Sequence, residues 1–294
     1  MAEALDRLLS LRMHQQDGRR SPHKPLLALL ALGRLHRTGS SALTWSVAEH
    51  ELADLLSEFG PTSRTGRAQS AAYPFTHLRS DGVWALSEDV PMDAVGPLRA
   101  AGLHGAFVPE VEQSLLSDPG ALLATARALV TAHFPETLVS DVLLAVGLDP
   151  GEVLLDLVQV PRTRTRSAAW RAAVVQAWDR QCAFCGYDGA VGGSPVGLDA
   201  AHIRWFAYDG PDEFDNGLAL CVLHHKLFDR GALGLDEELR VLVSSDYSTR
   251  TAAGRQVYDL AGGLLTPRPG TTLPATPHLA WHRREVFKGA ALVA

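Results

Sequence analysis

The sequence has no long apolar run and very few cysteines. No stretch approaches the roughly 18 apolar residues that a membrane-spanning helix needs, and the first residues form no apolar signal-peptide core. We therefore expect no membrane contact and a cytoplasmic location. The 3 cysteines cannot all pair with one another, and their spacing suits a metal site better than disulfide bonds.

The sequence also lacks an excess of positive charge, since its formal net charge is -6. The acidity is concentrated in residues 86–156, which hold 2 Lys or Arg against 11 Asp or Glu. Local basic clusters elsewhere could therefore still meet a polyanion. One cluster contains Arg12, Arg19, Arg20, His23 and Lys24, and the other contains Arg162, Arg164, Arg166 and Arg171.

The length of 294 residues suits two domains, each with its own core. We predict a first domain over residues 1–150 and a second over residues 167–294. Residues 151–166, which end in alternating arginines, are predicted to be a linker.

Several local patterns predict the elements of the first domain. Leucines at helical spacing predict a helix over residues 4–13, and helices are also expected over 121–134 and 137–146. Pro25 is expected at the first position of a helix over the apolar run that follows it. The basic loop before Pro25 would then lie at a helix N-terminus, which favours phosphate; solvated surface charge is an equally supported alternative.

Two further patterns predict a helix and a hairpin. Ser46-Val47-Ala48-Glu49 has the capping-box pattern, so a helix is expected from there to Gly60-Pro61. Asp81-Gly82 separates two apolar stretches, 73–79 and 83–86, and predicts a β-hairpin.

The second domain contains two metal-binding pairs at short spacing. Cys182 and Cys185 form one pair, and Cys221 and His224 form the other. Together they make a Cys3His set, which binds zinc in tetrahedral structural sites. The alternative is that these are unrelated reduced thiols, which would require the spacing to arise by accident.

The segment from Cys182 to Asp229 resembles the HNH endonuclease family, whose ββα-metal unit is commonly held by paired cysteine knuckles. By that resemblance, His202 is the general base, Asn216 holds the loop between the strands, and His225 ligates one catalytic Mg²⁺ or Mn²⁺. Asp229 occupies a position where the family often has a further ligand. For His202 alone, a buried core histidine would be the ordinary interpretation.

One residue departs from the family pattern. Relatives often carry an Asp or His metal ligand immediately before the base, where this sequence has Ala201. Asp199, on the same face of the strand, is the candidate replacement. The implied chemistry is hydrolysis of a phosphodiester bond by a one-metal mechanism.

The first domain resembles the sulfur-binding domain of phosphorothioate-dependent (McrA-like) type IV restriction endonucleases. The resemblance rests on the run from Arg19 to Leu27 and on the run from Tyr73 to Leu78. It implies an apolar pocket for sulfur, because sulfur is larger and less well hydrated than oxygen. The implied DNA and sulfur contacts are Arg12, Arg19, Arg20, His23, Lys24, Tyr73, Pro74, Phe75 and His77. Taken alone, Tyr73-Pro74-Phe75 could instead be a hairpin entry packed on its own core.

The two resemblances imply an α+β fold. A mainly helical, sulfur-binding-like DNA-recognition domain with a β-hairpin would be linked to a zinc-stapled HNH domain. The implied function is cleavage of phosphorothioate-modified double-stranded DNA, and a homodimer is plausible. Two alternatives remain open: an HNH nuclease that reads another modification or plain sequence, and a zinc-stapled DNA-binding regulator without catalysis.

Overall fold

The computed structural model describes residues 2–12, 21–61, 70–92, 95–100, 102–155, 167–265 and 267–292. The chain divides into two compact units, Met1–Pro161 and Arg162–Ala294. Both units combine helices with antiparallel strands, so the predicted α+β class is confirmed. No helix in the described part of the chain is long and apolar enough to cross a membrane.

The first unit is mainly helical. Its described helices are α1 (Ala2–Leu9), α2 (His23–Thr38), α3 (Trp45–Phe59), α4 (Ala72–His77), α5 (Val95–Ala100), α6 (Pro109–Ser117), α7 (Pro119–His133), α8 (Glu136–Ala145) and α9 (Pro150–Leu154). Its strands are β1 (Leu43–Thr44), β2 (Trp84–Leu86) and β3 (His104–Phe107). They form an antiparallel sheet in the order β1-β3-β2.

Helix α2 lies at the centre of this unit. Every residue from Lys24 to Gly33 is buried, as expected for a helix that is apolar on all sides. It packs against α3, α4 and α7. The helix begins at His23, two residues before the predicted start at Pro25. Proline is accepted there because N–H groups of the first turn have no partner within the helix.

The predicted hairpin at Asp81-Gly82 is wrong. The stretch before it forms α4 and then a 3-10 helix, Leu78–Asp81, and the stretch after it forms β2, which pairs with β3. Gly82 adopts φ 69 and ends the 3-10 helix. A left-handed glycine serves a helix end as readily as a hairpin turn, so the dipeptide alone does not separate the two.

The predicted capping box is also wrong, although the end of that helix is confirmed. Helix α3 begins at Trp45 with Thr44 as its N-cap, and no side chain caps it. The Glu49 carboxylate accepts hydrogen bonds from Arg99 instead. Helix α9 packs on α7 and α8, so ordered structure extends into the start of the predicted linker. Residues 156–166 of that segment lie outside the described residues.

The second unit is built from short antiparallel strand pairs and helices. Its described helices are α10 (Ala168–Ala177), α11 (Val222–Asp229), α12 (Ala252–Arg255) and α13 (Thr276–Glu285). The pairs are β4 (Ala190–Val191) with β5 (Ser194–Pro195), β6 (Leu198–His202) with β7 (Gly217–Cys221), and β8 (Leu233–Leu235) with β9 (Val241–Val243).

The β6–β7 pair and α11 form the centre of the second unit. Leu198 lies opposite Cys221 and His202 lies opposite Gly217. Helix α10 packs closely across these strands, since a Cβ at Gly217 would come 2.8 Å from a Val174 methyl group. The buried side chains of β7, α10 and α11 share one core. This packing fixes the ends of β6 and β7, where the candidate site residues lie.

Candidate functional site

The structure brings the four predicted zinc ligands together. One ligand atom from each of Cys182, Cys185, Cys221 and His224 lies within 4.8 Å of all the others. Among the described residues, these four side chains lie close enough together to hold one metal ion. Three sulfurs and one imidazole match the ligands that zinc takes in closed tetrahedral sites.

Two tight turns present these ligands. In the first, Gly186 has φ 72 and its N–H donates to the Cys182 carbonyl at 2.8 Å, a backbone conformation that glycine adopts without strain. In the second, Cys221 ends β7 and is the N-cap of α11, which places His224 in the first helical turn. The pairing of β6 with β7 holds the second turn in place.

The thiols already share hydrogen bonds. Bonding to Cys221 and His224 lowers the pKa of Cys182 to about 3, and the bond to Cys182 raises the pKa of Cys221. The sulfurs of Cys182 and Cys221 lie 3.5 Å and 3.4 Å from His224 Nδ1. A cation at the centre would favour the thiolate form of every cysteine.

His202 lies at the end of β6 in an enclosed position. Its side chain is 7% exposed. The Trp170 ring stacks on it with centroids 4.0 Å apart and planes at 20°, and the Phe206 ring lies 5.7 Å away on centroids. Its Nε2 is 2.8 Å from Asp212 Oδ1. The imidazole is therefore held in one orientation by an aromatic face and a carboxylate.

Asn216 is fully buried and ties the loop between β6 and β7 together. Its Nδ2 donates to the carbonyls of Arg204 and Pro211, each at 3.0 Å, and its Oδ1 accepts from the Arg204 N–H at 2.8 Å. The amide therefore closes both ends of the loop that follows His202.

His225 lies between two carboxylates. Its Nδ1 is 3.2 Å from Asp199 Oδ2, and its Nε2 is 3.3 Å from Asp229 Oδ2. The hydrogen bond from His225, reinforced by the charge of Arg171, lowers the pKa of Asp199. Because the carboxylates face opposite nitrogens of one ring, the three predicted ligands do not converge on a single point.

Successive residues on a helix point about 100° apart. This is why His224 turns towards the cysteines whereas His225 turns towards Asp199.

Three predicted contact residues of the first unit form a ring cluster. Tyr73 stacks on His77 with centroids 4.3 Å apart and planes at 26°, and His23 meets Tyr73 edge-on at 5.8 Å. All three side chains are partly exposed. The N-terminus of α2 and the helix α4 thus present an aromatic surface.

Other predicted DNA contacts have different environments. Phe75 has no exposed surface and packs edge-on against Trp45 and Trp84, so it belongs to the core. Pro74 is buried beside it. The alternative that this run packs on its own core therefore holds for these two residues.

Lys24 is also buried, with its side chain 8% exposed. Its ammonium group pairs with Asp81 and donates to the Arg12 carbonyl at 3.1 Å, while the Arg12 N–H donates to Asp81 at 2.8 Å. Lys24 thus neutralises an internal carboxylate in this structure. Arg19 and Arg20 lie outside the described residues.

The sequence interpretation missed Asp212. It stands ten positions after His202 among several acidic residues, Asp209, Glu213 and Asp215 included. No spacing rule separates it from these neighbours, since its contact with His202 depends on the path of the loop.

Comparisons with known proteins match two separate parts of the chain to two families. The family described as ScoMcrA-like, DNA sulfur-binding domain matches residues 1–151, and the HNH endonuclease family matches residues 182–236. Among proteins with curated descriptions, none matches this sequence.

Similar solved structures include two of ScoMcrA and one other endonuclease. The ScoMcrA sulfur-binding domain complexed with phosphorothioated DNA is 21% identical, covers 51% of this chain and 97% of its own, and gives a TM-score of 0.41. The type IV phosphorothioation-dependent restriction endonuclease ScoMcrA is 13% identical over 87% of this chain and 97% of its own, with a TM-score of 0.39. The modification-dependent TagI restriction endonuclease is 26% identical over 48% of this chain and 41% of its own, with a TM-score of 0.34.

The sulfur-binding family covers more than half of the chain, and the HNH match coincides with the β6–β7–α11 unit and the Cys3His cluster. The chain belongs to the ScoMcrA-like family and joins its DNA sulfur-binding domain to an HNH endonuclease domain.

Proposed function

We propose that this protein binds phosphorothioate-modified double-stranded DNA through residues 1–150 and cleaves it with the HNH unit of residues 167–294. One observation carries the proposal. A sulfur-binding domain and an HNH domain occur in one chain, and the HNH domain carries His202 at the end of β6, Asn216 directly before β7 and His225 on α11.

His202 is the proposed general base. An ionised carboxylate such as Asp212 can only accept hydrogen bonds, so the neutral imidazole keeps its proton on Nε2. Its Nδ1 then carries the lone pair that takes a proton from water during attack on phosphorus. Asn216 fixes the loop that carries Asp212 towards the imidazole.

The proposed catalytic ligands are His225 Nδ1 and Asp199. Asp199 is 31% exposed, whereas Asp229 is 2% exposed, so the Asp199 side of the ring is the one open to solvent. A bound Mg²⁺ or Mn²⁺ would stabilise negative charge on the phosphate and on the leaving oxygen. Asp229 then accepts the proton of Nε2 and orients the ring, as carboxylates behind metal-binding histidines commonly do.

The four ligands Cys182, Cys185, Cys221 and His224 are proposed to hold structural zinc. Their sulfur-rich set and closed arrangement favour zinc over Mg²⁺, which takes oxygen ligands.

The ring cluster of His23, Tyr73 and His77 is the proposed recognition surface for sulfur. Its aromatic rings are partly exposed and polarisable, and sulfur loses less hydration than oxygen when it contacts such a surface. Arg12, three residues after α1, is proposed with Arg19 and Arg20 to contact the DNA backbone or guanine edges.

The test uses the full chain and two duplexes of identical sequence, one of which carries a single phosphorothioate. Competition binding should favour the modified duplex, and cleavage of a modified plasmid should require added Mg²⁺ or Mn²⁺. The His202→Ala variant serves as the cleavage-deficient control. Equal affinity for the two duplexes would reject sulfur recognition. Binding without cleavage under every metal tested would reject the nuclease.

A further inference from the structure

Asp212 makes two well-placed hydrogen bonds from the loop between β6 and β7. Its Oδ1 lies 2.8 Å from His202 Nε2, and its Oδ2 accepts the Ser167 N–H at 3.1 Å. Its side chain is 22% exposed, so it lies at the edge of the site. Each oxygen has a distinct partner, and this fixes the plane of the carboxylate.

The elements that position Asp212 also position the His202 ring. Ser167 is the N-cap of α10, and its hydroxyl accepts the Trp170 N–H at 3.1 Å. Trp170 stacks on the imidazole of His202. The first turn of α10 therefore holds the carboxylate through a backbone N–H and the imidazole through an aromatic face.

A second set of bonds anchors the loop. The carbonyl of Pro211, immediately before Asp212, accepts from Asn216 Nδ2 at 3.0 Å. Trp170 Nε1 donates to the carbonyl of Glu213, immediately after it, at 3.1 Å. The backbone on both sides of Asp212 is thus tied to buried groups. Its approach to His202 is set by the fold and does not depend on the flexibility of one side chain.

The Asp212 carboxylate affects the protonation of His202 in two ways. It selects the tautomer that carries the proton on Nε2, because a carboxylate offers only acceptors to that nitrogen. It also stabilises the imidazolium that forms when His202 takes a proton, as in other carboxylate–histidine pairs. A neutral acceptor at this place would orient the ring but would give weaker stabilisation of the imidazolium.

We propose that Asp212 is the positioning residue of the nuclease, which fixes the orientation and tautomer of His202 and stabilises its protonated form during cleavage. The inference rests on the proposed function, in which His202 is the general base. Asp212 acts through its hydrogen bond to His202.

The test compares Asp212→Asn, Asp212→Glu and Glu213→Gln in the full chain. Asp212→Asn keeps the shape and an acceptor for the Ser167 N–H but removes the charge. Asp212→Glu keeps the carboxylate on a longer side chain. Glu213→Gln is the matched control, since it removes the same charge from the exposed neighbouring side chain.

Single-turnover cleavage of modified DNA should fall on the order of 100-fold in Asp212→Asn, within the range that general base catalysis contributes. The dissociation constant for DNA and the zinc content should stay at the wild-type values. Asp212→Glu should cleave faster than Asp212→Asn, and Glu213→Gln should cleave like the wild type. Wild-type cleavage rates in Asp212→Asn, or a slower rate in Asp212→Glu than in Asp212→Asn, would overturn the inference.

A second measurement does not depend on cleavage. Nitrogen NMR of the imidazoles at neutral pH should show His202 with its proton on Nε2 in the wild type, with the signal assigned by its loss in His202→Ala. Asp212→Asn should shift the tautomer population towards Nδ1–H, and Glu213→Gln should not. If the wild type cleaves no DNA, the proposed function fails, and this measurement still decides the inference: a wild-type proton on Nδ1 would overturn it.

Discussion

His224 and His225 are neighbours in α11, yet their surroundings differ in kind. The partners of His224 converge, with all four ligand atoms within 4.8 Å, whereas the partners of His225 face opposite nitrogens of its ring. Closed convergence is typical of structural sites, and catalytic sites leave positions for water and substrate. Under the proposed function, one helical turn carries a zinc ligand that stabilises the fold and a residue that takes part in the chemistry.

The largest expected effect comes from breaking the closed cluster. Cys182→Ser should abolish zinc binding and the fold of the second unit, because zinc supplies on the order of 10 kcal/mol to small structural sites. Metal analysis and thermal unfolding measure both losses. Asp188→Asn, an exposed change close to the same turn, is the matched control and should keep its zinc. If Cys182→Ser kept the wild-type zinc content and melting temperature, the Cys3His group would not be a structural zinc site. The contrast between His224 and His225 would then fail.

The next effect separates chemistry from folding. His202→Ala should lower the cleavage rate on the order of 1,000-fold, since general base catalysis contributes roughly 100- to 10,000-fold. Zinc content should not change, because His202 lies outside the Cys3His group. Quenched time courses on modified plasmid measure the rate. Retained cleavage would exclude His202 as the base.

A smaller effect distinguishes the two carboxylates beside His225. Asp199→Asn should weaken the binding of Mn²⁺ more than Asp229→Asn does, because it removes a proposed ligand. Asp229→Asn should weaken it by about 10- to 100-fold or less, as expected for a group that orients a ligand. Calorimetric titration with Mn²⁺ measures both, and each variant should keep its structural zinc. A larger loss in Asp229→Asn than in Asp199→Asn would reverse the two assignments.

Features fixed by local spacing were predictable from the sequence. The Cys-x-x-Cys and Cys-x-x-His pairs predicted the cluster because a single tight turn brings each pair together, and metal chemistry restricts the residue types. The central helix α2 was predicted from its continuous apolar run, although its start shifted by two residues. The domains were recognised through family resemblance carried by such local motifs.

Features that depend on the path of the chain were not predictable. Phe75 and Lys24 stand in the motif that resembles the sulfur-binding family, yet one is packed between tryptophans and the other is paired with Asp81. Asp212 reaches His202 only because the loop closes on Asn216. The Asp81-Gly82 dipeptide predicted a β-hairpin wrongly, because a left-handed glycine fits both a hairpin turn and the end of a helix. Each outcome was decided by tertiary contacts between distant residues.

The smallest expected effect comes from a change that preserves the closed cluster. His224→Cys would give the second pair the same two-cysteine spacing as Cys182 and Cys185, and zinc accepts four thiolates as readily as three with an imidazole. The thiolate reaches less far than Nδ1, but zinc–sulfur bonds are longer than zinc–nitrogen bonds by roughly 0.2 Å, which offsets part of the difference. Zinc content and cleavage should therefore stay close to wild type.

His225→Cys, the same substitution one position along the helix, should keep its zinc but lose cleavage in Mg²⁺, because Mg²⁺ binds sulfur poorly. Loss of zinc from His225→Cys, or intact cleavage in it, would mean that the two neighbouring histidines do not serve separate sites.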